Sequence, residues 1–389
     1  MSAMIFHFDF GNWLRMVSLA WREESPRARR RYLAVLLAWV PLVASFHAVC
    51  FALDVILFPS LRRIRVRAPV FVIGHARSGT TLLHRLMSRD QGRFSAFMLY
   101  ELYFPSLLQK KLIRGAARLD RRWLHGRLAR RVRAWEERRY AGMQGVHEMG
   151  LTQFEEDDIV FYYSCASGFW ITKLPYMGEL DFYHVDRWPP HKRRRLMRFY
   201  RECIRRQLAL AGGDRIHLSK NPVFAGRVEA LIEAFPDARF VVPLRNPYET
   251  IPSLLKLMRL SWRRLGWSEE RQRRCLRILG EQSFETYRHP LEVLARHPQT
   301  PHAVVDYRDA EADPAATIER VYQQLGLPMT EAYRELLRGE GKRARTHVSG
   351  HAYSLEEFGL EAGVIRERLA DLFERYQWDA GPPAPAGGA

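Results

Sequence analysis

The sequence predicts an α/β fold with a mostly parallel sheet, and three observations support this. Short apolar runs of strand length alternate with longer stretches in which apolar residues have helical spacing. Turns containing glycine and proline separate these runs. The chain has 389 residues, of which 47% are hydrophobic, so it is long enough to bury a large core. Strands that alternate with helices are typical of a parallel sheet covered by helices.

The predicted elements follow one another in a regular order from residue 68 onward. "PVFVIG" is the first predicted strand, and "TTLLHRLMSRD" is the helix after it. The later elements are amphipathic helices over 107–139 and 191–210, the strand "RIHLSK", the helix "RVEALIEAF", the strands "RFVVPL" and "HAVVDY", and the helix "PAATIERVYQQLGLP". Gly326 and Pro328 end that last helix. We expect 68–378 to form the main domain and 379–389 to form a disordered tail.

An apolar segment, residues 32–59, precedes this domain. Leu33 to Leu53 carries no charged side chain and is long enough to span a bilayer as a helix. Pro41 lies near its middle and predicts a kink. Arginines flank both ends, and the positive-inside tendency places both flanks on the cytoplasmic side, which one straight span cannot satisfy. Residues 1–67 are therefore predicted to lie in the cytoplasmic face of an anionic membrane; a single-pass anchor and a buried core helix are the alternatives.

Charge and cysteine usage narrow the classes of partner. The formal net charge of +18 favours anionic partners, which include nucleic acid, an acidic membrane surface and a phosphorylated ligand. The four cysteines are widely spaced and form no C-x-x-C pair. This pattern argues against a zinc site or a disulfide framework and favours a reducing compartment.

The stretch "GHARSGTT", residues 74–81, links the first predicted strand to its helix. A glycine-containing loop at a helix start presents backbone N–H groups to an anion, and the helix dipole adds to the attraction. Ser78, Thr80 and Thr81 offer hydroxyl groups, and Arg77 offers a forked cation suited to phosphate or sulfate oxygens. A triphosphate loop would carry lysine where Thr80 stands, so we predict a different anion. An ordinary strand–helix turn is the alternative.

A second candidate anion site is "LRNPYETIPS", residues 244–253. Arg245 ends a predicted strand, and Ser253 follows eight residues later in the next helix. Asn246 can cap that helix, and Pro247 suits its first turn. A nucleotide triphosphatase often carries a metal-holding acidic residue where Arg245 stands. Together with the loop, this site predicts a ligand with two separated anionic groups and no metal.

These motifs, in this order, resemble those of sulfotransferases that use 3′-phosphoadenosine 5′-phosphosulfate as co-substrate. "RSGTTLL" is similar to their 5′-phosphosulfate loop, "LSKNP" to their central lysine strand and "LRNPYETIPS" to their 3′-phosphate motif. The resemblance runs from about residue 68 to 330 and extends to "HAYSLEEFGL", which is similar to a segment of bacterial members. Arg77 resembles the tyrosylprotein-sulfotransferase-like branch, because the cytosolic branch has lysine there. The resemblance implies a P-loop-like three-layer sandwich with a central parallel sheet.

The resemblance also implies roles for individual residues. Arg77, Ser78, Gly79, Thr80 and Thr81 would hold the 5′-phosphosulfate, while Arg245 and Ser253 would hold the 3′-phosphate. Lys220 matches the lysine that contacts the bridging and transferring groups. Tyr307 matches a tyrosine near the 3′-phosphate, although Arg308 replaces the usual acidic neighbour, and Asn246 stands where aspartate is frequent.

The general base is open between two places in the sequence. Sulfuryl transfer to a hydroxyl requires a group that accepts the acceptor's proton. Pro222 occupies the position at which the cytosolic branch has its histidine, so the base must lie elsewhere. Glu101 is the best match to the glutamate of the tyrosylprotein branch, and His147 or Glu148 is the competitor.

The sequence thus predicts sulfuryl transfer to the hydroxyl of a small-molecule or lipid acceptor, with no nucleic acid partner. Two other classes stay open from the residues alone. One is a P-loop enzyme that transfers phosphoryl groups, and the other is a non-enzymatic basic protein that binds membranes or nucleic acid. Near the C-terminus, Arg345 or His351 is expected near phosphate, and Ser354 with Glu357 forms a predicted capping box.

Overall fold

A computed structural model describes residues 6–140, 150–344 and 355–378. The strands are β1 (Val70–Val72), β2 (Phe94–Ser95), β3 (Ile216–Lys220), β4 (Arg239–Leu244) and β5 (His302–Asp306). The α-helices are α1 (Phe10–Trp21), α2 (Pro26–Ala34), α3 (Val40–Leu57), α4 (Thr80–Met87), α5 (Leu99–Tyr103), α6 (Leu107–Trp123), α7 (Arg127–Tyr140), α8 (Pro190–Leu210), α9 (Val228–Ala234), α10 (Pro247–Arg264), α11 (Glu269–Arg296), α12 (Tyr307–Ala312), α13 (Pro314–Gln324), α14 (Glu331–Ala344), α15 (Ala362–Arg368) and α16 (Ala370–Tyr376).

The chain forms two compact units, each built from separate stretches of sequence. The first unit, called the helical unit below, contains 1–67, 92–167 and 189–219. The second, called the sheet unit below, contains 68–91, 168–188 and 220–389. The apolar N-terminal segment therefore groups with the arginine-rich helices α6, α7 and α8.

A parallel ladder forms the centre of the sheet unit. β4 pairs with β1 on one side, with Val72 opposite Val241, and with β5 on the other, with Leu244 opposite Asp306. β1 and β4 are almost completely buried, as strands covered on both faces should be, whereas β5 at the end of the ladder alternates between buried and partly exposed positions. Parallel pairing brings the carboxyl ends of the strands to one edge, where the loop before α4, Arg245 and Tyr307 all begin.

Local capping explains where the helices at this edge start. Asn246 accepts a hydrogen bond from the backbone N–H of Tyr248 at 3.0 Å, and Pro247 occupies the first turn of α10. Asp306 caps α12 in the same way, through the N–H of Arg308 at 2.9 Å. The capping role predicted for Asn246 is confirmed.

The helical unit is held together by a buried ion pair. Asp54 of α3 accepts a hydrogen bond from Nε of Arg206 at 2.7 Å, and both side chains are buried. The same carboxylate accepts the backbone N–H groups of Leu107 and Leu108 at the start of α6. These donors compensate the buried carboxylate for the loss of water. Removal of one partner would leave a buried charge unpaired and would strongly destabilise the fold. In this unit β2 and β3 form a short parallel ladder.

Pro26–Leu57 is a single helical run that is long and apolar enough to cross a membrane, and only 28% of its most apolar window is buried. A π-helical turn, Val35–Trp39, joins α2 to α3, where the N–H of Val40 donates to the carbonyl of Val35. Pro41, which has no N–H to donate, follows this turn, and the helix continues through it.

The predicted fold class is confirmed: strands alternate with helices and pair in parallel. Each strand and helix predicted after residue 68 is found within a few residues of its expected bounds. All four cysteines are buried free thiols, as their spacing indicated. The tail 379–389 lies outside the described residues.

Candidate active site

The loop between β1 and α4 is shaped by two glycines. Gly74 has φ +135° and Gly79 has φ +97°, backbone angles that residues other than glycine rarely adopt. A Cβ at Gly74 would lie 3.0 Å from the carbonyl oxygen of Pro243 on β4, and a Cβ at Gly79 would overlap the ring of Tyr307. Both glycines are thus required by close approach as well as by backbone conformation. Ser78 is fully buried inside the loop, where its Oγ donates to the carbonyl of His75 at 2.7 Å.

Arg77 adopts a left-handed backbone conformation, with φ +73°. This conformation costs a non-glycine residue about 1–2 kcal/mol, so the surrounding structure must hold it there. Nε of Arg77 donates a hydrogen bond to Oγ of Ser253 on α10 at 3.1 Å. The loop cation and the helix hydroxyl, predicted separately from the sequence, are therefore direct neighbours.

A buried aromatic contact ties the loop to the end of β4. The ring of His75 stacks on that of Tyr287 with centroids 5.1 Å apart. The hydroxyl of Tyr287 donates to the carbonyl of Arg245 at 2.6 Å and bonds Oγ1 of Thr250 at 2.6 Å. Burial lowers the pKa of His75 to about 4, so the imidazole is neutral at physiological pH. Neither His75 nor Tyr287 carried a signal in the sequence that marked it as part of the site.

Arg245 already has an acidic partner. Its guanidinium bonds the carboxylate of Glu249, one turn along α10, with Nε to Oε2 at 2.8 Å. The same guanidinium lies over the ring of Tyr307, 4.4 Å from the centroid. Burial raises the pKa of the Tyr307 hydroxyl, so it remains protonated. The i, i+4 spacing of Arg245 and Glu249 on a helix start is the signal that could have identified this pair.

Lys220 ends β3 and is buried, with 1% of its surface exposed. The next residue, Asn221, donates its N–H to the carbonyl of Val72 at 2.9 Å, immediately before the loop. Asn221 also caps a short 3-10 helix, Pro222–Gly226, so the chain turns sharply after the lysine. Lys220 therefore lies at the same strand edge of the sheet unit as the loop.

Glu101 belongs to the helical unit, on α5. It is 2% exposed and accepts three hydrogen bonds: from the N–H of Met98 at 3.2 Å, the hydroxyl of Tyr100 at 3.0 Å and Nη2 of Arg114 at 3.2 Å. Nε of Arg114 also donates to the Tyr100 hydroxyl, at 3.1 Å. Burial raises the pKa of Tyr100 to about 12, with the neighbouring Glu101 carboxylate contributing. These donors hold the carboxylate in a fixed orientation.

A second ionisable group near Glu101 was missed in the sequence. Lys110 is completely buried on α6, with its Nζ 4.8 Å above the ring of Phe97. Its amine has no hydrogen-bond partner in the described part of the chain. Burial lowers its pKa to about 8. The competing base candidates His147 and Glu148, and also Arg345, His351 and Ser354, lie outside the described residues.

The sheet unit thus brings together, at one strand edge, several groups whose chemistry suits an anion. The loop supplies backbone N–H groups and hydroxyls at a helix start, and Arg77, Lys220 and Arg245 supply positive charge. Ser253 on α10 contacts the loop through its hydrogen bond with Arg77. Such an arrangement binds oxyanions and stabilises negative charge that develops on them during a transfer reaction.

The chain is similar to several known proteins. A model of the sulfotransferase family matches residues 69–331. Over 345 residues the chain is 25% identical to the omega-hydroxy-beta-dihydromenaquinone-9 sulfotransferase Stf3 of Mycobacterium bovis, and equally to that of Mycobacterium tuberculosis. These matches cover 82% of this chain and 77% of each relative.

Solved structures show the same fold. The sulfotransferase STF9 from Mycobacterium avium has a TM-score of 0.70 at 18% identity, covering 95% of this chain and 93% of that one. STF1 from Mycobacterium tuberculosis has a TM-score of 0.62 at 19% identity, with 94% of each chain covered. A phosphoryl-transferring enzyme and a non-enzymatic basic protein are therefore set aside. The family model spans most of the chain, and the protein belongs to the sulfotransferase family, as an enzyme that transfers a sulfuryl group from a sulfonate donor.

Proposed function

We propose that the donor is 3′-phosphoadenosine 5′-phosphosulfate and that the sheet unit binds both of its anionic ends. The loop residues Arg77 to Thr81 hold the 5′-phosphosulfate, and Arg245 with Ser253 holds the 3′-phosphate. The observation that carries this proposal is the 3.1 Å hydrogen bond between Arg77 and Ser253, which joins the two motifs into one site. Tyr307 forms the wall between them, since its ring packs against Gly79 and Arg245.

In the proposed reaction, an acceptor hydroxyl oxygen attacks the sulfur in line with the bond to the nucleotide phosphate. The new O–S bond forms as the S–O bond to the nucleotide breaks, and 3′,5′-adenosine bisphosphate leaves. Lys220 and Arg77 stabilise the charge that develops on the sulfuryl oxygens and the leaving phosphate. Glu101 takes the acceptor proton, a role supported by its burial and its ordered donors; His147 or Glu148 is the alternative base.

We propose that the acceptor is a lipid or another hydrophobic hydroxyl compound. The name of the Stf3 relatives describes an acceptor with a hydroxyl group, omega-hydroxy-beta-dihydromenaquinone-9. The apolar N-terminal helix supports a hydrophobic acceptor, because an enzyme held at a bilayer meets such molecules directly.

We also propose that the fold is a three-layer sandwich and that its N-terminal segment lies on the cytoplasmic face of the membrane. On α3 one face, which includes His47, Phe51 and Asp54, is buried in the helical unit. The opposite face exposes large apolar residues at helical spacing, namely Leu42, Phe46, Val49, Leu53 and Ile56. A helix buried along one side supports a segment that lies in the bilayer surface rather than one that crosses it. The donor nucleotide is made in the cytoplasm, which supports that side.

The proposed function is tested by sulfuryl transfer with labelled donor and a membrane lipid extract as acceptor. We expect a labelled product that partitions into organic solvent. Arg77→Ala should abolish donor binding, whereas Glu101→Gln should leave donor binding intact and lower kcat about 100-fold or more. Glu137→Gln, an exposed carboxylate on α7, is the matched control. A water-soluble peptide or sugar as the only efficient acceptor would refute the lipid part, and full activity of Glu101→Gln would refute its role as base.

A further inference from the structure

The proposed reaction does not explain two helices of the helical unit, α6 and α7. We call α6 and α7, residues 107–140, the arginine hairpin. No side chain from Arg127 to Arg139 is buried, and α6 is mostly exposed beyond Lys110. Two helices whose surfaces lie largely in water gain little stability from tertiary packing, so their composition requires another explanation.

The hairpin exposes large apolar side chains in a stripe. On α6, Leu112, Leu119 and Trp123 are 63%, 59% and 67% exposed, and their spacings of seven and four residues place them on one helix face. On α7, Leu128 and Trp135 are 45% and 47% exposed, again seven residues apart. An exposed stripe of Leu and Trp at helical spacing is typical of a surface that contacts something else.

The same hairpin is strongly basic. Between 107 and 139 the acidic residues are Asp120, Glu136 and Glu137. Asp120 is buried, and Glu136 binds the backbone N–H of Leu151 at 2.5 Å. The exposed basic side chains are Lys111, Arg114, Arg118, Arg121, Arg122, Arg127, Arg130, Arg131, Arg133, Arg138 and Arg139. The apolar stripe is therefore bordered by an excess of positive charge.

The turn of the hairpin is fixed by one buried carboxylate. Asp120, near the end of α6, accepts the backbone N–H groups of Leu128 and Ala129 in the first turn of α7, both at 2.9 Å. The backbone N–H of Gly126 donates to the Asp120 carbonyl at 3.1 Å. Because these bonds hold the two helices at a set angle, the exposed face is a preformed surface.

We propose that the arginine hairpin docks on an anionic phospholipid surface. Its Trp and Leu side chains enter the boundary between headgroups and acyl chains, and its arginines bind lipid phosphates. Charge selects this occupant: a second copy of the hairpin would bring two arginine-rich faces together, which is repulsive, whereas an anionic bilayer is complementary. The stripe of Trp and Leu selects a bilayer over nucleic acid, because apolar side chains at helical spacing have no counterpart on a phosphate backbone.

This surface is connected to the proposed base through α6. Arg114, four residues beyond the buried Lys110 on this helix, donates to the carboxylate of Glu101. Lipid contact at the hairpin therefore bears on the same helix that orients Glu101. The inference rests on the proposed membrane association. It adds the arginine hairpin to α3 as a second part of the protein that contacts the membrane.

Co-sedimentation of the full chain with vesicles tests the inference without requiring activity. The probes are vesicles of phosphatidylcholine alone and of phosphatidylcholine mixed with phosphatidylglycerol. We expect binding to the mixed vesicles only. Arg118→Gln/Arg121→Gln/Arg122→Gln should weaken that binding about 100-fold, because each basic residue near the surface contributes about a factor of five. Leu119→Ser/Trp123→Ser should weaken it about tenfold or more.

Matched controls come from α10, where Leu260 is 44% exposed and Arg263 and Arg264 are exposed. Leu260→Ser and Arg263→Gln/Arg264→Gln should bind vesicles as the wild type does. Calorimetric binding of 3′,5′-adenosine bisphosphate confirms that each variant is folded. The inference is overturned if the hairpin variants bind vesicles as tightly as the wild type while Leu42→Ser/Phe46→Ser on α3 binds more weakly. That result would leave membrane association through α3 in place without the hairpin. Equal binding to both vesicle types, or hairpin-dependent binding to duplex DNA in place of vesicles, would also overturn it.

Discussion

Arg77 and Ser253, which are far apart in the chain, are joined by a hydrogen bond from Nε to Oγ of 3.1 Å. Arg77 reaches this contact from a left-handed backbone conformation, held in place by the loop around it. The contact joins the loop to the start of α10, so in the proposed site the two form one anion-binding surface. It also means that Ser253 has two tasks in the proposed site: it contacts a phosphate and it orients the loop arginine.

The first prediction concerns this double role. Ser253→Ala should weaken the binding of 3′,5′-adenosine bisphosphate about tenfold, since a hydrogen bond to a charged group contributes about 1.5–3 kcal/mol. Combined with Arg77→Lys, its effect should be smaller than the sum of the single effects, because the two residues act together. Calorimetric titration measures each affinity. Ser261→Ala, which removes an Oγ bonded only to its own helix at Leu257, is the control. Strict additivity would show that the contact does not organise the site.

The second prediction concerns the approach of Tyr307 to the loop. Gly79→Ala should lower the free energy of unfolding by about 2 kcal/mol or more, because φ is +97° and the added Cβ overlaps the Tyr307 ring. Gly115→Ala is the control: Gly115 lies within α6 with open space around its Cα, so alanine should stabilise by about 0.5–1 kcal/mol. Urea denaturation measures both. A Gly79→Ala protein as stable as the wild type would contradict the packing of Tyr307 on the loop.

The third prediction concerns the ion pair between Arg245 and Glu249. In the proposed site the 3′-phosphate competes with the Glu249 carboxylate for the guanidinium. Glu249→Gln should therefore tighten binding of 3′,5′-adenosine bisphosphate, by about fivefold for an ion pair of about 1 kcal/mol, and leave adenosine 5′-phosphate binding unchanged. Glu281→Gln, which breaks the exposed pair with Arg368, should change neither affinity. If Glu249→Gln weakens binding of the bisphosphate, Glu249 supports the phosphate site instead of competing with it.

The fourth prediction concerns pH. Burial lowers the pKa of His75 to about 4 from its ordinary value of 6.5. Between these values the unfolded chain binds the proton and the folded chain does not. The free energy of unfolding therefore falls as pH drops from 6.5 toward 4, and the part of this loss that comes from His75 reaches about 3 kcal/mol. Above pH 6.5 the contribution is fully present.

Urea denaturation across this pH range checks the fourth prediction. His75→Asn should show a shallower fall in stability than the wild type, whatever its stability at neutral pH. His191→Asn, an exposed histidine on α8, should keep the wild-type slope. Equal slopes for all three proteins would mean that His75 is not held neutral by burial.

Local signals in the sequence were sufficient for the strands, the loop glycines and the cap at Asn246, because each depends on neighbouring residues. The apolar runs of β1, β4 and β5 have strand length, and Pro247 after Asn246 indicates a helix start. The division of the chain into interleaved units could not be predicted, since it depends on which distant helices share a core. Asp54, for example, ends an apolar run in the sequence. Its structural role, which is to bind Arg206 and the backbone at the start of α6, depends on residues far away in the chain.

The contacts between side chains within the site also could not be predicted from the sequence. The stacking of His75 on Tyr287 and the bond from Arg77 to Ser253 join residues that only the fold brings together. Arg114 and the buried Lys110 near Glu101 looked like two more basic residues in a solvated arginine-rich stretch. The i, i+4 pair of Arg245 and Glu249 was visible in principle, but the same spacing is common on exposed helices.

The central claim is that Arg245 recognises the 3′-phosphate of the donor nucleotide. The most direct measurement is the ratio of the affinities for 3′,5′-adenosine bisphosphate and adenosine 5′-phosphate, obtained by calorimetry for the wild type and for Arg245→Ala. The wild type should prefer the bisphosphate, and Arg245→Ala should reduce that preference about 10- to 100-fold, as expected for the loss of a bond between charged groups. A preference that is unchanged in Arg245→Ala would contradict the account.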